Sequence, residues 1–286
     1  MKGDRMNKLS NGIIQCRELS LDVGNRTAIM GILNVTPDSF SDGGRYQELP
    51  AAVERARRMV EEGADMIDIG GESTRPGSET VTLERELERV IPVVRALREA
   101  GIRVPLSIDT YKAEVARQAL EAGAHILNDI WGLKKDDAMA RTAARYGCPI
   151  ILMHNRVKAV YDHFIHDVIQ DLLESVRLAH EAGIRDEQII LDPGIGFAKS
   201  YEQNLQLMNE LHRIVDIGYP VLLGTSRKSM IQKTLNLPPG DVLEGTAATV
   251  TMGITQGCRI MRVHDVAAIK RTAAMTDAIV ARRFPS

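Results

Sequence analysis

Short runs of Ile, Val, Leu and Met recur along the chain, each following a helical stretch that ends in glycine and each followed by polar residues. The segments "EEGADMIDIGG", "EAGAHILNDIWG", "YGCPIILMHN", "EAGIRDEQIILDPG" and "QGCRIMRVHD" share this order. Glycine just past a helix supplies the left-handed conformation that ends it. Apolar runs without polar alternation suit strands buried on both faces, as in a parallel sheet. "AIMGILNV", "VPLSID" and "YPVLLGTS" complete a set of eight strands, ending near Asn34, Gly70, Asp109, Asn128, His154, Asp192, Thr225 and His264. Amphipathic stretches lie between them. "PAAVERARRMVEEG" places Pro50 where a first helical turn accepts proline. "TLERELERVIPVVRALREAG" keeps helical spacing, with Pro92 expected to kink it. Further helices are expected from Ala113, Asp137, Phe164, Glu202, Val242 and Ala267.

Strict alternation of strand and helix, with no linker, predicts a single-domain (β/α)8 TIM barrel over residues 1–286. A doubly wound open sheet is the other solution, but no GxGxxG follows the first strand. At the N-terminus, "KLSNGIIQCRELSLD" carries an Asn-Gly turn signal between two short runs, which predicts a β-hairpin closing the bottom of the barrel.

The chain has 286 residues, 44% hydrophobic and 26% charged, enough for a large core without covalent staples. Net charge is −2, which lacks the basic excess of a nucleic-acid binder, so any bound anion must be met by local charge. Cys16, Cys148 and Cys258 are odd in number and scattered, as expected of reduced thiols in a cytoplasmic protein. No apolar stretch reaches the roughly 20 residues of a membrane span, and no signal-peptide pattern opens the sequence. No membrane or nucleic-acid partner is therefore expected.

In such a barrel the site lies at the C-terminal ends of the strands. The exits pool Asn34, Glu72, Asp109, Asn128, His154, Asp192, Lys228, Arg262 and His264. Each alone could cap a helix, as Asp109-Thr110 before "YKAEV" would. Together they supply more acids, amides and cations than capping needs. The loops "TPDSFSDGGR" and "GESTRPG" are rich in glycine and hydroxyls and read as lids. Facing them, "GTSRKS" and "RVHD" bring Ser226, Arg227, Lys228, Arg262 and His264 to the loops where barrels often hold phosphate. A ligand with a phosphorylated end and a polar heterocyclic end would match this mouth. Asp68, inside the second strand, is left out of the site. His163 and His166 have helical spacing for a metal pair but no evident third ligand. His125, His180 and His212 read as helix-end or surface residues.

"MGILNVTPDSFSDGG" and "GGESTRPG" resemble the two signature segments of the dihydropteroate synthase family. "SIDT", "LNDI", "LDPGIGFAK", "GTSRKSMI" and "RVHDV" match its further motifs in order, so that the similarity runs from about Ile13 to Ala281. The resemblance implies condensation of 6-hydroxymethyl-7,8-dihydropterin pyrophosphate with p-aminobenzoate, giving 7,8-dihydropteroate and pyrophosphate in folate biosynthesis. It implies that Asp109, Asn128, Asp192 and Lys228 hold the pterin, with Asp192 accepting from its 2-amino-4-oxopyrimidine edge. Arg262, His264 and Asn34 would receive the pyrophosphate, with Asn34 as the ligand to Mg2+, which keeps several waters and phosphate oxygens. Thr74, Arg75 and Pro76 would bind near the substrates. Phe197, Lys228 and Ser229 would border the p-aminobenzoate slot. Asp109, Lys228 and Arg262 are the residues implied in catalysis, and a homodimer is the family's assembly. At one point the chain departs from the family, reading "NRVKAVYDHF" after "LMH" where a Met-Arg-Gly run is usual. His154, just before it, is a candidate to approach the pterin. Three other readings stay open on the residues: a pterin-binding methyltransferase barrel, an aldolase with Lys228 as Schiff base, and a pterin-holding protein without turnover.

Overall fold

The computed structural model describes residues 12–36, 44–72 and 80–280, the side chains of 44–48 excepted. Eight parallel strands form one sheet: β3 (Ala28–Asn34), β4 (Met66–Gly70), β5 (Leu106–Asp109), β6 (Ile126–Asp129), β7 (Ile150–Met153), β8 (Ile189–Asp192), β9 (Leu222–Leu223) and β10 (Ile260–Val263). Their order is β8-β7-β6-β5-β4-β3-β10-β9. A parallel bridge between Leu191 and Val221 joins the two ends, so the sheet closes into a barrel. The expected (β/α)8 barrel is the fold observed.

Alternation along each strand decides what faces inward. Ile29, Leu33, Ile67, Ile69, Leu106, Ile108, Leu127, Ile150, Leu152, Leu223 and Met261 pack in the layer shared with the helices. Their neighbours in sequence, among them Met30, Met66, Ile126, Ile151, Ile190, Leu222 and Ile260, fill the barrel floor. The same parity carries Asp68, Asp109, Asn128, Asp192 and Arg262 to the inner face. Apolar inward residues thus lie at the start of each strand and polar ones at its end.

The floor is sealed by the expected hairpin, β1 (Ile13–Cys16) and β2 (Leu19–Asp22). Ile14, Cys16, Leu21 and Val23 pack on the floor residues. Arg17 anchors it by donating from Nη1 to the carbonyls of Leu120 and Ala124 at 2.8 and 3.0 Å. The turn differs from expectation. It is made by Arg17-Glu18, with Arg17 at φ 58°, while Gly12 of the expected Asn-Gly pair precedes the first strand and Asn11 lies outside the described residues. Ordering of the arginine by two carbonyls offsets the cost of its left-handed backbone.

The helices are α1 (Gly44–Glu61), α2 (Leu83–Glu99), α3 (Ala113–Ala122), α4 (Ala138–Tyr146), α5 (Phe164–Glu181), α6 (Tyr201–Asn209), α7 (Leu211–Val215), α8 (Ser229–Leu235), α9 (Leu243–Thr255) and α10 (Val266–Val280). Helix α1 starts before Pro50, which therefore lies inside it and not in its first turn. Helix α2 is capped by Thr82, whose hydroxyl accepts from Arg85 N, and it runs on through Pro92. The short helices α7 and α8 are additions to the expected set. His125, expected at a helix end or the surface, lies three residues past α3 and is buried, and its Nδ1 accepts from Leu106 N at 3.0 Å. His180 is exposed and paired with Asp186.

Candidate active site

Strand register sets the upper rim. Asn34 stands beside Gly70, Gly70 beside Asp109, and Asp109 beside Asn128, a continuous row across β3 to β6. Asp68 and Ser107 pair in the row beneath. From β10, Arg262 crosses to these rows. Its Nε donates to Asp68 Oδ2 at 2.7 Å and its Nη2 to Asp109 Oδ2 at 2.8 Å. Asn128 Nδ2 donates to the same Asp68 oxygen at 3.0 Å. Asp68 is fully buried and belongs to the centre of this cluster, although the sequence reading omitted it. The signal was its position two residues before Gly70 in a strand whose end faces the mouth.

Not every acceptor is used. Asp68 Oδ1, Asp109 Oδ1 and Ser107 Oγ are buried without a hydrogen-bond partner among the described residues. Buried polar atoms normally have one. Three such atoms on one inner face are what a ligand rich in N–H donors would meet.

Charge is concentrated here. Burial, with the Asp68 and Glu86 carboxylates nearby, pushes Asp109 above the ordinary carboxylate range, against the pull of Arg262. Burial disfavours the Arg262 cation, but Asp68 and Asp109 more than offset this, so the guanidinium stays charged. Across the mouth, burial also raises Asp192, opposed by Lys228, the Gly194 N–H and Arg262. Asp192 Oδ1 accepts from Gly194 N at 2.7 Å. Lys228, just before α8, is pulled down to about 8 by burial, and Asp192 limits the fall. Its ammonium donates to the Ile195 carbonyl and lies 4.4 Å from the centre of the Phe197 ring. Gly196, at φ 83°, makes room, since a Cβ there would stand 2.9 Å from Lys228 Cδ.

The remaining candidates divide. Ser229 is exposed as the first residue of α8, next to Lys228, and Asn34 is exposed at the rim. His264 holds Ser226 Oγ at 3.0 Å through Nδ1. Arg227 does not join them, because it is paired with Asp265 at 2.7 Å. Glu72 is paired with Lys112 at 2.5 Å, and Lys112 also holds Glu86. His154 is buried and its two ring nitrogens meet Asp171 and Lys199. Thr74, Arg75 and Pro76 lie outside the described residues, as does most of the first lid loop. Among the described residues no group of three or more His, Cys, Asp and Glu could hold a metal, His163 and His166 included.

Comparison with known proteins shows the family. Residues 30–264 match the family described as pterin binding enzyme. The dihydropteroate synthase of Clostridium beijerinckii is 56% identical over 262 residues, covering 91% of this chain and 97% of that one. A structure of Clostridium difficile dihydropteroate synthase in the presence of pteroic acid superposes with a TM-score of 0.88 at 49% identity, covering 90% of this chain and 97% of that one. The Xanthomonas albilineans dihydropteroate synthase with 4-aminobenzoic acid gives 0.90 at 40% identity, covering 96% and 100%. With inward carboxylates, amide and guanidinium at one mouth, and relatives of this identity over nearly their whole length, the chain belongs to the dihydropteroate synthase family of pterin-binding enzymes.

Proposed function

We propose that this barrel mouth grips one two-ended molecule, 6-hydroxymethyl-7,8-dihydropterin pyrophosphate, for attack by p-aminobenzoate. The overall reaction is that of a dihydropteroate synthase, a transferase releasing 7,8-dihydropteroate and pyrophosphate. The observation that carries the assignment of the groups is the row Asn34–Gly70–Asp109–Asn128 with Arg262 bonded across it.

The pterin end is assigned to Asp192, Asn128, Asp109 and Lys228. An ionised Asp192 accepts adjacent N–H groups of the pyrimidine edge, each such bond worth about 1.5–3 kcal/mol. Asn128 both donates and accepts, but its amide already gives one N–H to Asp68, so its orientation is fixed before a ligand arrives. Arg262 spends donors on Asp68 and Asp109, and its remaining N–H groups can reach the bridging or departing oxygens. His264 and Asn34 complete the pyrophosphate end. Thr74, Arg75 and Pro76 are assigned near the substrates, and Phe197, Lys228 and Ser229 border the amine slot.

In the reaction the methylene–oxygen bond breaks and its electron pair leaves with pyrophosphate. The pterin methylene becomes cationic, the p-aminobenzoate nitrogen forms the new C–N bond, and that nitrogen then releases its proton. Asp109 is suited to the cationic stage. The poor solvation that raises its pKa also makes positive charge on the adjacent ring favourable. No strong base is required, because an aniline nitrogen is unprotonated at neutral pH.

The donor set suits Mg2+ as the expected cofactor. One exposed amide at Asn34, with no cage of carboxylates among the described residues, fits an ion that takes most of its ligands from phosphate and water. When bound it would neutralise charge on the pyrophosphate. The 286 residues are assigned to one domain, since eight of the described strands join a single barrel and the other two, β1 and β2, close its floor. Unpaired buried cysteines suit a reducing compartment, hence the cytoplasm. Exposed Leu243 and Met252 on α9 and Met275 and Ile279 on α10 support a homodimer.

Initial-rate assays test the assignment. Pyrophosphate release from the dihydropterin pyrophosphate with Mg2+ is expected to require p-aminobenzoate, and a sulfonamide is expected to compete with the amine only. Release that ignores the amine, or a sulfonamide competing with the pterin, would refute it.

A further inference from the structure

Between β8 and α6 the chain makes a strap, residues 193–200, whose backbone folds back on one ammonium group. Lys199 Nζ donates to the Gly194 carbonyl at 2.8 Å and to the Phe197 carbonyl at 3.0 Å. Its third contact is His154 Nδ1 at 2.8 Å. In its charged form the three donors of the ammonium are matched by three acceptors, while burial pulls Lys199 down to about 7, with Asp192 limiting the fall. His154 is buried, and burial pulls it down to about 4, with Asp171 opposing, so the ring is neutral at working pH. With Nδ1 accepting, its one proton sits on Nε2 and points at Asp171 Oδ2, 3.0 Å away. Asp171 Oδ2 also accepts from Arg156 Nε at 2.5 Å. The strap is tied a second time where the Tyr161 hydroxyl donates to the Ala198 carbonyl at 2.7 Å. Gly194 is obligatory: at φ 68°, a Cβ there would lie 2.0 Å from the His154 carbonyl oxygen.

The strap supplies two things to the mouth, the Phe197 ring against Lys228 and the Ile195 carbonyl that Lys228 bonds. By contrast Asp68, Asp109, Asn128 and Arg262 stand on strands, and Arg262 is held by the two aspartates. We infer that Lys199, backed by His154 and Asp171, is a positioning residue for the amine substrate, holding the strap so that Phe197 and Lys228 frame its slot. The inference rests on the reading of Phe197 and Lys228 as the border of the p-aminobenzoate slot. Lys199 itself touches neither substrate in this assignment.

The test is a steady-state comparison of Lys199→Met, His154→Leu, His154→Gln and Phe197→Ala in the full-length enzyme, with both substrates varied. Lys199→Met is expected to raise the KM for p-aminobenzoate about tenfold or more, as displacement of a positioned group by about 1 Å does, while the KM for the pterin pyrophosphate, which shares Lys228 but keeps the strand-borne Asp192, Asn128 and Asp109, rises by clearly less. His154→Leu should act in the same direction. His154→Gln should recover most of the loss, because its amide keeps an acceptor for Lys199 and a donor for Asp171. If Lys199→Met does not fold, the contrast between the two His154 variants decides. Phe197→Ala separates the layers of the argument. Should it raise the KM for p-aminobenzoate while Lys199→Met does not, the positioning role is wrong and the slot stands. Should Phe197→Ala leave that KM unchanged, the slot reading falls and the inference with it. Equal rises in both KM values, with Gln no better than Leu at 154, would mean a general structural loss and would also overturn it.

Discussion

Lys228 and Asp192 follow neighbouring strands, β9 and β8, and feel each other's charge, while burial moves each toward its neutral form. The Lys228 ammonium titrates at about 8, so its positive charge is present below that pH and lost as pH rises through it. The Asp192 carboxylate is raised, so its charge is lost as pH falls, and sooner than for an exposed aspartate. The free enzyme needs both charges, and kcat/KM for the pterin pyrophosphate reports the free enzyme. That profile is expected to be bell-shaped, with its basic limb near pH 8. Lys228→Arg should move the basic limb upward while lowering the plateau. A profile flat from pH 7 to 10 would show that the Lys228 charge is not used. Asp68 carries a different weight. It compensates Arg262 inside the barrel, and removing one partner of a buried charge pair costs about 3–5 kcal/mol. With Asp109 still bonded to Arg262, the lower end, about 3 kcal/mol, is expected for Asp68→Ala in denaturant titration. The sequence showed Asp109, Asn128, Asp192 and Arg262 as strand-end groups. Asp68 lay hidden because inward parity needs the exact strand register. The Lys199–His154–Asp171 chain was hidden because its members are 45 and 17 residues apart and meet only in the fold.

At the level of elements, the apolar runs were enough to find all eight barrel strands, since a strand buried on both faces has to be continuously apolar. What the pattern missed has physical causes. Helices α7 and α8 span five and seven residues, too short for a helical period to stand out. The hairpin turn was sought at a glycine, but it is held by the side chain of Arg17, a tertiary contact with α3 and the residues after it. Arg17→Ala is therefore expected to cost about 2 kcal/mol, the range of a lost hydrogen bond to a charged group, in urea unfolding. Because the hairpin seals the opposite end from the site, kcat/KM should change less than about twofold. A large catalytic loss without a stability change would contradict this division between floor and mouth.

For the whole molecule, one asymmetry runs along the barrel axis. The floor is apolar and closed by the hairpin, and the rim collects carboxylates, amides and cations from strands distant in sequence. This separation lets the helical shell and floor carry stability while the mouth tolerates buried charge and unpartnered acceptors. The apolar side chains exposed on α9 and α10 belong to neither role, and light scattering is expected to give twice the 31.6 kDa chain mass. A monomer at micromolar concentration would refute that assembly. The most direct test of the two-ended grip is calorimetric binding of 6-hydroxymethyl-7,8-dihydropterin and of its pyrophosphate to the wild type, Asp192→Asn and His264→Ala. Asp192→Asn is expected to weaken both ligands by about the same factor, roughly tenfold or more for one charged hydrogen bond, while His264→Ala weakens only the pyrophosphate. An Asp192→Asn enzyme that binds the alcohol at full affinity, or a His264→Ala enzyme that loses both ligands alike, would contradict the account.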